Sequence, residues 1–315
     1  YKKNTYNTYM LQKLTRFFKK STRWSKTLIC LGFLLLVLMI INQNSSIKEG
    51  FSQRRKYVLR KNDDIFDDFY VPVYDQLMNN KVKNLFEVKE IARTTKFNKH
   101  SVLLDIGSGL GHHVNLFNRM GGEKCVGLDK SPAMVRASQY KYNDSEFKTG
   151  DVMDFMNFDA QSFTHITCLY FTIYYIKDKR RFFKNCYEWL LPRGYLALHL
   201  VNRNKFDPII EAGNPLHLVS PQRYAKKRIT NSIVKFNNFD YKSNFKLGGD
   251  VGTFEEYFKD KKTQKVRHNK HKFFMETQRQ ILSLARQAGF ILKGKIDMVG
   301  CQYEYQYIYI LSKPN

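Results

Sequence analysis

In the stretch VLLDIGSGLGHHV (102–114) an apolar run ends in Asp105-x-Gly107-x-Gly109-x-Gly111 and passes directly into a helical pattern. Glycines at that spacing let the backbone turn sharply and come close to a ligand, and the following helix turns its N-terminal N–H groups toward it. Such a turn serves either a nucleotide site or the tight packing of a helix on a sheet. Two further acids discriminate between these. KCVGLD (124–129) ends in Asp129, where a ribose diol would be gripped in a doubly wound fold, and Gly150-Asp151-Val152 follows the next short run. Each acid alone reads as a helix cap or a solvated loop residue. Three in succession, each just past a strand end, are hard to explain as caps.

These residues resemble the class I S-adenosylmethionine-dependent methyltransferases, closely over 100–201 and in layout through Ala288-Gly289-Phe290 to the C-terminus. The resemblance implies S-adenosylmethionine as cofactor. It places Asp105 and the turn Gly107, Ser108, Gly109 and Gly111 at the methionine part, Asp129 at the ribose, and Asp151 with the Val152 amide at the adenine edge, and counts Lys130 among the cofactor-binding residues. Tyr74, in FYVPVYDQLM, matches the tyrosine that closes over the cofactor in small-molecule members. A nicotinamide dehydrogenase, the rival fold-mate, would use Gly-x-Gly-x-x-Gly to hold a pyrophosphate. Asp105 would repel that group but suits the amino group of a sulfonium amino acid. CLYFT (168–172) lacks the Asn/Asp-Pro-Pro-Tyr signature of enzymes that methylate bases or amide nitrogens, and His165 stands where relatives often have an acid. HLVNRNKFDPII (199–210) is similar to a segment of glycine N-methyltransferase-like and amino-sugar enzymes, which points to Asn202 and Arg203 for the substrate.

Methyl transfer from a sulfonium is an in-line displacement with an activated leaving group, so the protein mainly aligns the nucleophile and excludes water. An amine nucleophile need only be deprotonated, whereas a hydroxyl calls for a neighbouring His or carboxylate. Tyr170 and His199 are the catalytic candidates at the substrate edge, each weighed against simple core packing. His112 and His113 either cap the first helix or line the cofactor pocket.

The elements that must position these residues alternate. Strand-like runs at 101–106, 124–129, 145–149, 163–170 and 194–201 are separated by helical stretches at 112–120, 132–141 and 178–191, after a first helix at 81–96. A helix at about 275–288, a strand near 290–298 and the period-two run YEYQYIYIL (303–311) close the chain, the last two as a hairpin. This alternation predicts an α/β fold: a doubly wound, Rossmann-like, seven-stranded and mostly parallel sheet with an antiparallel last strand. Residues 202–274 read as a basic, substrate-side insertion with antiparallel strands before the last helix, and 63–315 as the whole domain.

The 315 residues carry a formal charge of +25, concentrated in two blocks. Residues 1–61 hold a net +13 and 222–296 a net +12. Between basic segments 1–26 and 44–62 lies TLICLGFLLLVLMII (27–41), whose 15 positions would reach ~22 Å as a helix. With interfacial neighbours it predicts a single-pass transmembrane anchor at 27–43. A cleaved signal peptide and a buried or interfacial helix are the alternatives, although no clean small-x-small site follows. Flanking charges are nearly balanced, and the expected cofactor favours a cytosolic catalytic domain. QRRKYVLRK (53–61) suits an anionic lipid surface. The second basic block, including Lys261, Lys262, Lys265, Arg267 and Lys270 with His268, His271 and Phe273, reads as a membrane-facing or solvated face, an anion site or an RNA contact. No recognised nucleic-acid module accompanies it, so nucleic acid is not the favoured partner. Five dispersed cysteines have no metal-ligand spacing and read as packed thiols in a reducing compartment. The chain therefore reads as a membrane-anchored methyltransferase for a small-molecule, lipid-linked or glycan acceptor. A noncatalytic scaffold and an RNA methyltransferase are the rivals.

Overall fold

The computed structural model describes residues 22–32, 55–209, 222 and 225–315. Two units divide the chain, Tyr1–Lys48 and Glu49–Asn315. In the first, residues 23–32 are helical, and the Thr22 hydroxyl accepts from the Ser25 N–H at 3.3 Å. Residues 33–43 of the expected anchor lie outside the described residues, among which no helix is long and apolar enough to cross a membrane. The expected transmembrane helix thus has no support from the described part of the fold.

The second unit opens with β1 (Tyr57–Lys61), α1 (Tyr70–Met78) and α2 (Lys81–Thr95). The Asn80 side chain caps α2 by accepting from the Lys83 N–H, and Lys96 ends the helix in the left-handed region. The alternating part follows: β2 (Val102–Ile106), α3 (His112–Arg119), β3 (Lys124–Asp129), α4 (Pro132–Lys141), β4 (Glu146–Thr149), β5 (Phe163–Cys168), α5 (Thr172–Tyr175), α6 (Lys179–Trp189) and β6 (Leu190–Val201). Ser131 and Pro132 start α4 as an N-cap and first-turn proline. Next come β7 (Asn231–Lys235), β8 (Phe239–Gly248), β9 (Val251–Asp260), β10 (Val266–Phe274), α7 (Gln278–Gln287), β11 (Ile291–Asp297) and β12 (Gln306–Ser312). A reciprocal capping box between Thr277 and Gln280 fixes the start of α7.

Seven strands form one sheet in the order β11-β12-β6-β5-β2-β3-β4. The β2, β3, β4, β5 and β6 pairings are parallel, and β12 runs antiparallel to both β6 and β11. Leu103, Leu104 and Ile106 of β2 are buried, as a central parallel strand requires. Val88 and Ile91 of α2 pack with Leu103, Val114 and Phe117 in the same core. The expected doubly wound sheet, its antiparallel last strand and the antiparallel insertion before the last helix are all present. The run expected as a strand to 170 stops at Cys168, because Tyr170 turns into the left-handed region at φ 52°. Cys125, Cys168, Cys186 and Cys301 are buried free thiols, and Cys30 is exposed.

A second sheet has the order β1-β10-β9-β8-β7. Its strands β7 to β10 are antiparallel neighbours from the insertion, whereas β1 pairs parallel with β10. Residues 57–61 fall in the basic segment 44–62, a linker before the domain expected at 63–315, so β1 corrects that boundary. A five-residue edge strand with only one partner needs little apolar alternation, and four of its residues are exposed.

Gly111 begins α3 at φ 76°, where a β-carbon would collide with the Phe147 ring of β4. Gly109 has φ 53° but no atom within 4 Å of that position. Gly109→Ala is therefore expected to cost about 1–2 kcal/mol from backbone conformation alone. Gly111→Ala should cost about 2–4 kcal/mol, because overpacking is added. Urea unfolding of the two variants measures the difference; equal losses would refute the packing role of Gly111.

Candidate active site

A cavity of about 740 Å³ opens where β2, β3, β4 and β5 end, between those strand ends, α1 and the second sheet. Asp105, Asp129 and Asp151 all line it, brought together by the parallel register of strands widely separated in sequence. Gly107, Ser108, Gly109, Lys130, Val152 and Tyr74 line it too. Gly111 does not. Its side faces Phe147 and Ser138, so the glycine is needed for packing α3 on β4 rather than for contact with a ligand.

Asp129 accepts from the Gly109 N–H at 2.8 Å with one oxygen and from the Ser131 N–H at 2.9 Å with the other. The Leu128 carbonyl accepts from the Gly107 and Ser108 N–H groups. Together these bonds fix the glycine turn from the neighbouring strand. Burial raises the Asp129 carboxyl above its ordinary range, against the pull of those two N–H groups. Asp105 is buried and accepts from the Thr167 hydroxyl at 2.7 Å. Burial pushes its pKa up to about 6, opposed by His113 and Thr167. Asp151 accepts from the Met153 N–H and lies 3.0 Å from Lys130 Nζ, which also meets Asp63 at 2.8 Å. Despite some burial, these partners hold Asp151 below the usual carboxylate range.

Both helix-opening histidines line the cavity. His112 Nε2 lies 2.7 Å from Asp75 and Nδ1 lies 2.7 Å from the Tyr142 hydroxyl, while His113 Nε2 lies 2.7 Å from Glu87. Fully buried Glu87 also accepts from Lys83 at 2.9 Å. Burial would raise its pKa, but Lys83 and then His113 outweigh this and hold it at about 2. Lys83 lines the cavity, and its ammonium lies 5.1 Å from the centroid of the Tyr170 ring.

The substrate-side expectations divide. Tyr170 lines the cavity and donates to the Met78 sulfur at 3.6 Å. His199 does not line it: the residue is 0% exposed, its Nδ1 is 2.5 Å from the Tyr170 carbonyl, and burial lowers its pKa to about 4. It belongs to a strand paired on both sides, which the sequence pattern could not separate from a strand end. Asn202 and Arg203 are likewise outside the cavity lining. The Asn202 N–H donates to the Tyr305 carbonyl, and Arg203 Nη1 donates to Asp250 and the Met275 carbonyl. Arg203 therefore ties the chain after β6 to the ends of β9 and β10.

Several cavity groups were missed, Tyr70, Lys83 and Tyr175, with Glu256 behind them, and His271 was read only as part of the basic block. The signal available was the period-two pattern of 251–260, which sets Glu256 on the same side as Phe254 and Phe258. Of the residues weighed as an RNA contact, Arg267, His268, His271 and Phe273 are buried and Lys265 is half-buried, whereas Lys261, Lys262 and Lys270 are exposed. Arg267 donates to Asp67 and the Ile65 carbonyl, so its charge is already used inside the fold.

Residues 104–198 match the family model described as a methyltransferase domain. A 117-residue stretch, 35% of this chain, is 28% identical to the phosphoethanolamine N-methyltransferase of Plasmodium falciparum; the match spans 42% of that relative's length. An S-adenosylmethionine-dependent methyltransferase from Clostridium acetobutylicum aligns with a TM-score of 0.60 at 15% identity, over 78% of this chain and 98% of its own. The sugar N-methyltransferase KedS8 from Streptoalloteichus aligns with a TM-score of 0.55 at 18% identity, over 75% of this chain and 88% of its own. At these identities the structural likeness shows the fold, and it is the fold expected from the resemblance.

The resemblance gives Asp105 a cationic amino group to receive, which requires the carboxyl ionised, whereas burial favours its protonated form below a pH of about 6. Binding of S-adenosylmethionine should therefore strengthen roughly tenfold per pH unit up to about 6 and level off above. Calorimetric titration across this range checks it. Asp105→Asn should bind more weakly with no such slope; a slope that survives the substitution would assign the titration to another group.

Proposed function

The chain carries a class I methyltransferase domain, and from that premise we propose that it transfers a methyl group from S-adenosylmethionine to a small-molecule, lipid-linked or glycan acceptor. The observation that carries this reading is the meeting of Asp105, Asp129 and Asp151, each at the end of a parallel strand, around one cavity with an aromatic far side. The residues fit the cofactor. Asp105 has one oxygen not used by Thr167 for an amino group, and the Gly107–Gly109 backbone permits close approach. Asp129 has lone pairs to accept from ribose hydroxyls, while Asp151 and Val152 border the place for the adenine edge. The cofactor supplies a methyl group already activated by a sulfonium.

The protein's part is to align the acceptor and exclude water. Tyr74 is half-buried beside Phe66, with ring centroids 6.4 Å apart, and desolvation followed by Asp129 raises its pKa, so it presents a neutral hydroxyl. A phenol in that place can close over a ligand without introducing charge. The name of the malarial relative, with its small phosphorylated amine, supports a small-molecule acceptor. The apolar run 27–41 supports attachment to a membrane, the need for S-adenosylmethionine supports a domain on the cytosolic side, and the exposed lysines of the insertion suit an anionic lipid surface.

Calorimetry of the full-length protein should detect S-adenosylmethionine and its demethylated product. Asp129→Ala should weaken both about 10- to 100-fold, the effect of deleting hydrogen bonds to a charged group. A folded wild type that binds neither would overturn the reading. For the anchor, full-length protein should float with vesicles containing phosphatidylserine and stay bound at high salt, since apolar burial is not screened. Release by salt would reduce the attachment to surface charge.

A further inference from the structure

The protein is strongly basic, yet eight aspartates and three lysines line its cavity. Charge in the cavity thus opposes charge on the chain as a whole. Behind the aromatic half lies Glu256, 0% exposed, in the middle of β9. Its carboxylate accepts from Tyr70 at 2.7 Å, Tyr241 at 2.9 Å, Asn269 at 3.3 Å and His271 Nε2 at 2.7 Å. Burial would raise its pKa, but His271 and the two phenols outweigh this, so it stays anionic. An anionic Glu256 can only accept, which places a proton on His271 Nε2. In the neutral ring Nδ1 is then an acceptor, and the Tyr175 hydroxyl lies 2.7 Å from it. Tyr175 and His271 both line the cavity.

A buried acid with four donors could simply join α1 to the second sheet, since Tyr70 belongs to α1. That role does not require His271 to hand its other nitrogen to a phenol that faces the cavity. The rings of Tyr175, Phe66 and Phe273 meet around this point, with centroids 4.9 Å apart for Tyr175–Phe273 and 5.7 Å for Phe66–Tyr175. Aromatic faces above an anion favour a cation.

We propose that the methyl acceptor is an amine, and that Tyr175, backed by His271 and Glu256, takes the proton the nitrogen gives up. This rests on the methyltransferase reading above. The amine nitrogen forms the bond to the methyl carbon as the carbon–sulfur bond breaks, and the sulfur keeps that electron pair. The nitrogen loses one proton to the Tyr175 oxygen, while the Tyr175 hydroxyl proton passes to His271 Nδ1. His271 becomes an imidazolium paired with Glu256, and its extra proton leaves to solvent after product release. Tyr175 is the catalytic residue, and His271 and Glu256 act through it. The titratable groups facing this chain are Tyr70 and Tyr74 from α1, Asp63 before it, Tyr170 after β5, Tyr241 from β8 and Glu256 from β9. Burial, then Tyr74 and Glu256, hold the Tyr175 phenol well above its ordinary pKa, so it relays a proton without resting as an anion.

The test uses the full-length protein, radiolabelled S-adenosylmethionine, and ethanolamine, glucosamine and spermidine beside ethylene glycol and glucose. Label should enter the amines and not the alcohols. Tyr175→Phe should lower that transfer about 10- to 100-fold and His271→Asn about 100-fold or more, with cofactor affinity by calorimetry within about twofold of wild type. Both deficits should narrow as pH rises, because more of the amine then arrives unprotonated; a merely structural loss would not recover. Label in the alcohols alone, label in no probe, or variants as active as wild type would overturn the proposal. Absence of cofactor binding by folded wild type would instead overturn the reading beneath it. Retained cofactor affinity in Tyr175→Phe shows that its fold is intact should His271→Asn fail to fold.

Discussion

One carboxylate holds the glycine-turn side of this cavity in shape. Asp129 binds the Gly109 N–H with one oxygen and the Ser131 N–H with the other, so the turn after β2 and the start of α4 after β3 are joined through a single side chain. Gly107 and Ser108 add bonds to the Leu128 carbonyl next to it. The glycine turn is therefore oriented by its neighbouring strand as well as by its own backbone. Burying a carboxylate is costly, and the raised pKa of Asp129 records that cost. What the cost secures is a set of fixed dipoles that do not need to reorganise when a ligand arrives.

Much of this half was legible in the sequence because its rules are local. A strand that ends in an acid, followed by glycines or a capped helix, places the acid at a sheet edge whatever the rest of the chain does. Asp105, Asp129 and Asp151 follow that rule. Gly111 shows its limit, since a left-handed glycine looks the same in sequence whether it makes room for a ligand or for Phe147. His199 and Arg203 show another. Both sit near the end of β6, but one side chain is enclosed by the sheet's neighbours and the other is drawn toward Asp250 and Met275, contacts set by residues about fifty or more positions away.

The second sheet was legible as strands but not as a surface. Its charge count is dominated by lysines, yet alternation sends Lys270 and Lys272 outward and His271 and Phe273 inward. Net charge by segment averages over the two faces and conceals an inner one that is aromatic and anionic. The same averaging hid Glu256, an acid within a strand that otherwise buries phenylalanines. Such a residue violates the simple pattern at the place where polar chemistry faces the cavity.

The parallel pairing of β1 with β10 also decides how the domain responds to being pulled. Arg60 lies opposite Asn269 and Lys61 opposite Lys270, one residue before His271. Tension entering the second unit through the chain before Tyr57 must pass along β1, whose ladder with β10 then bears the load in shear. The strand that carries His271 thus feels a tug before the seven-stranded sheet does. The first part of the domain to yield would be the second sheet's wall of the cavity, leaving the edge that carries Asp105, Asp129 and Asp151 intact.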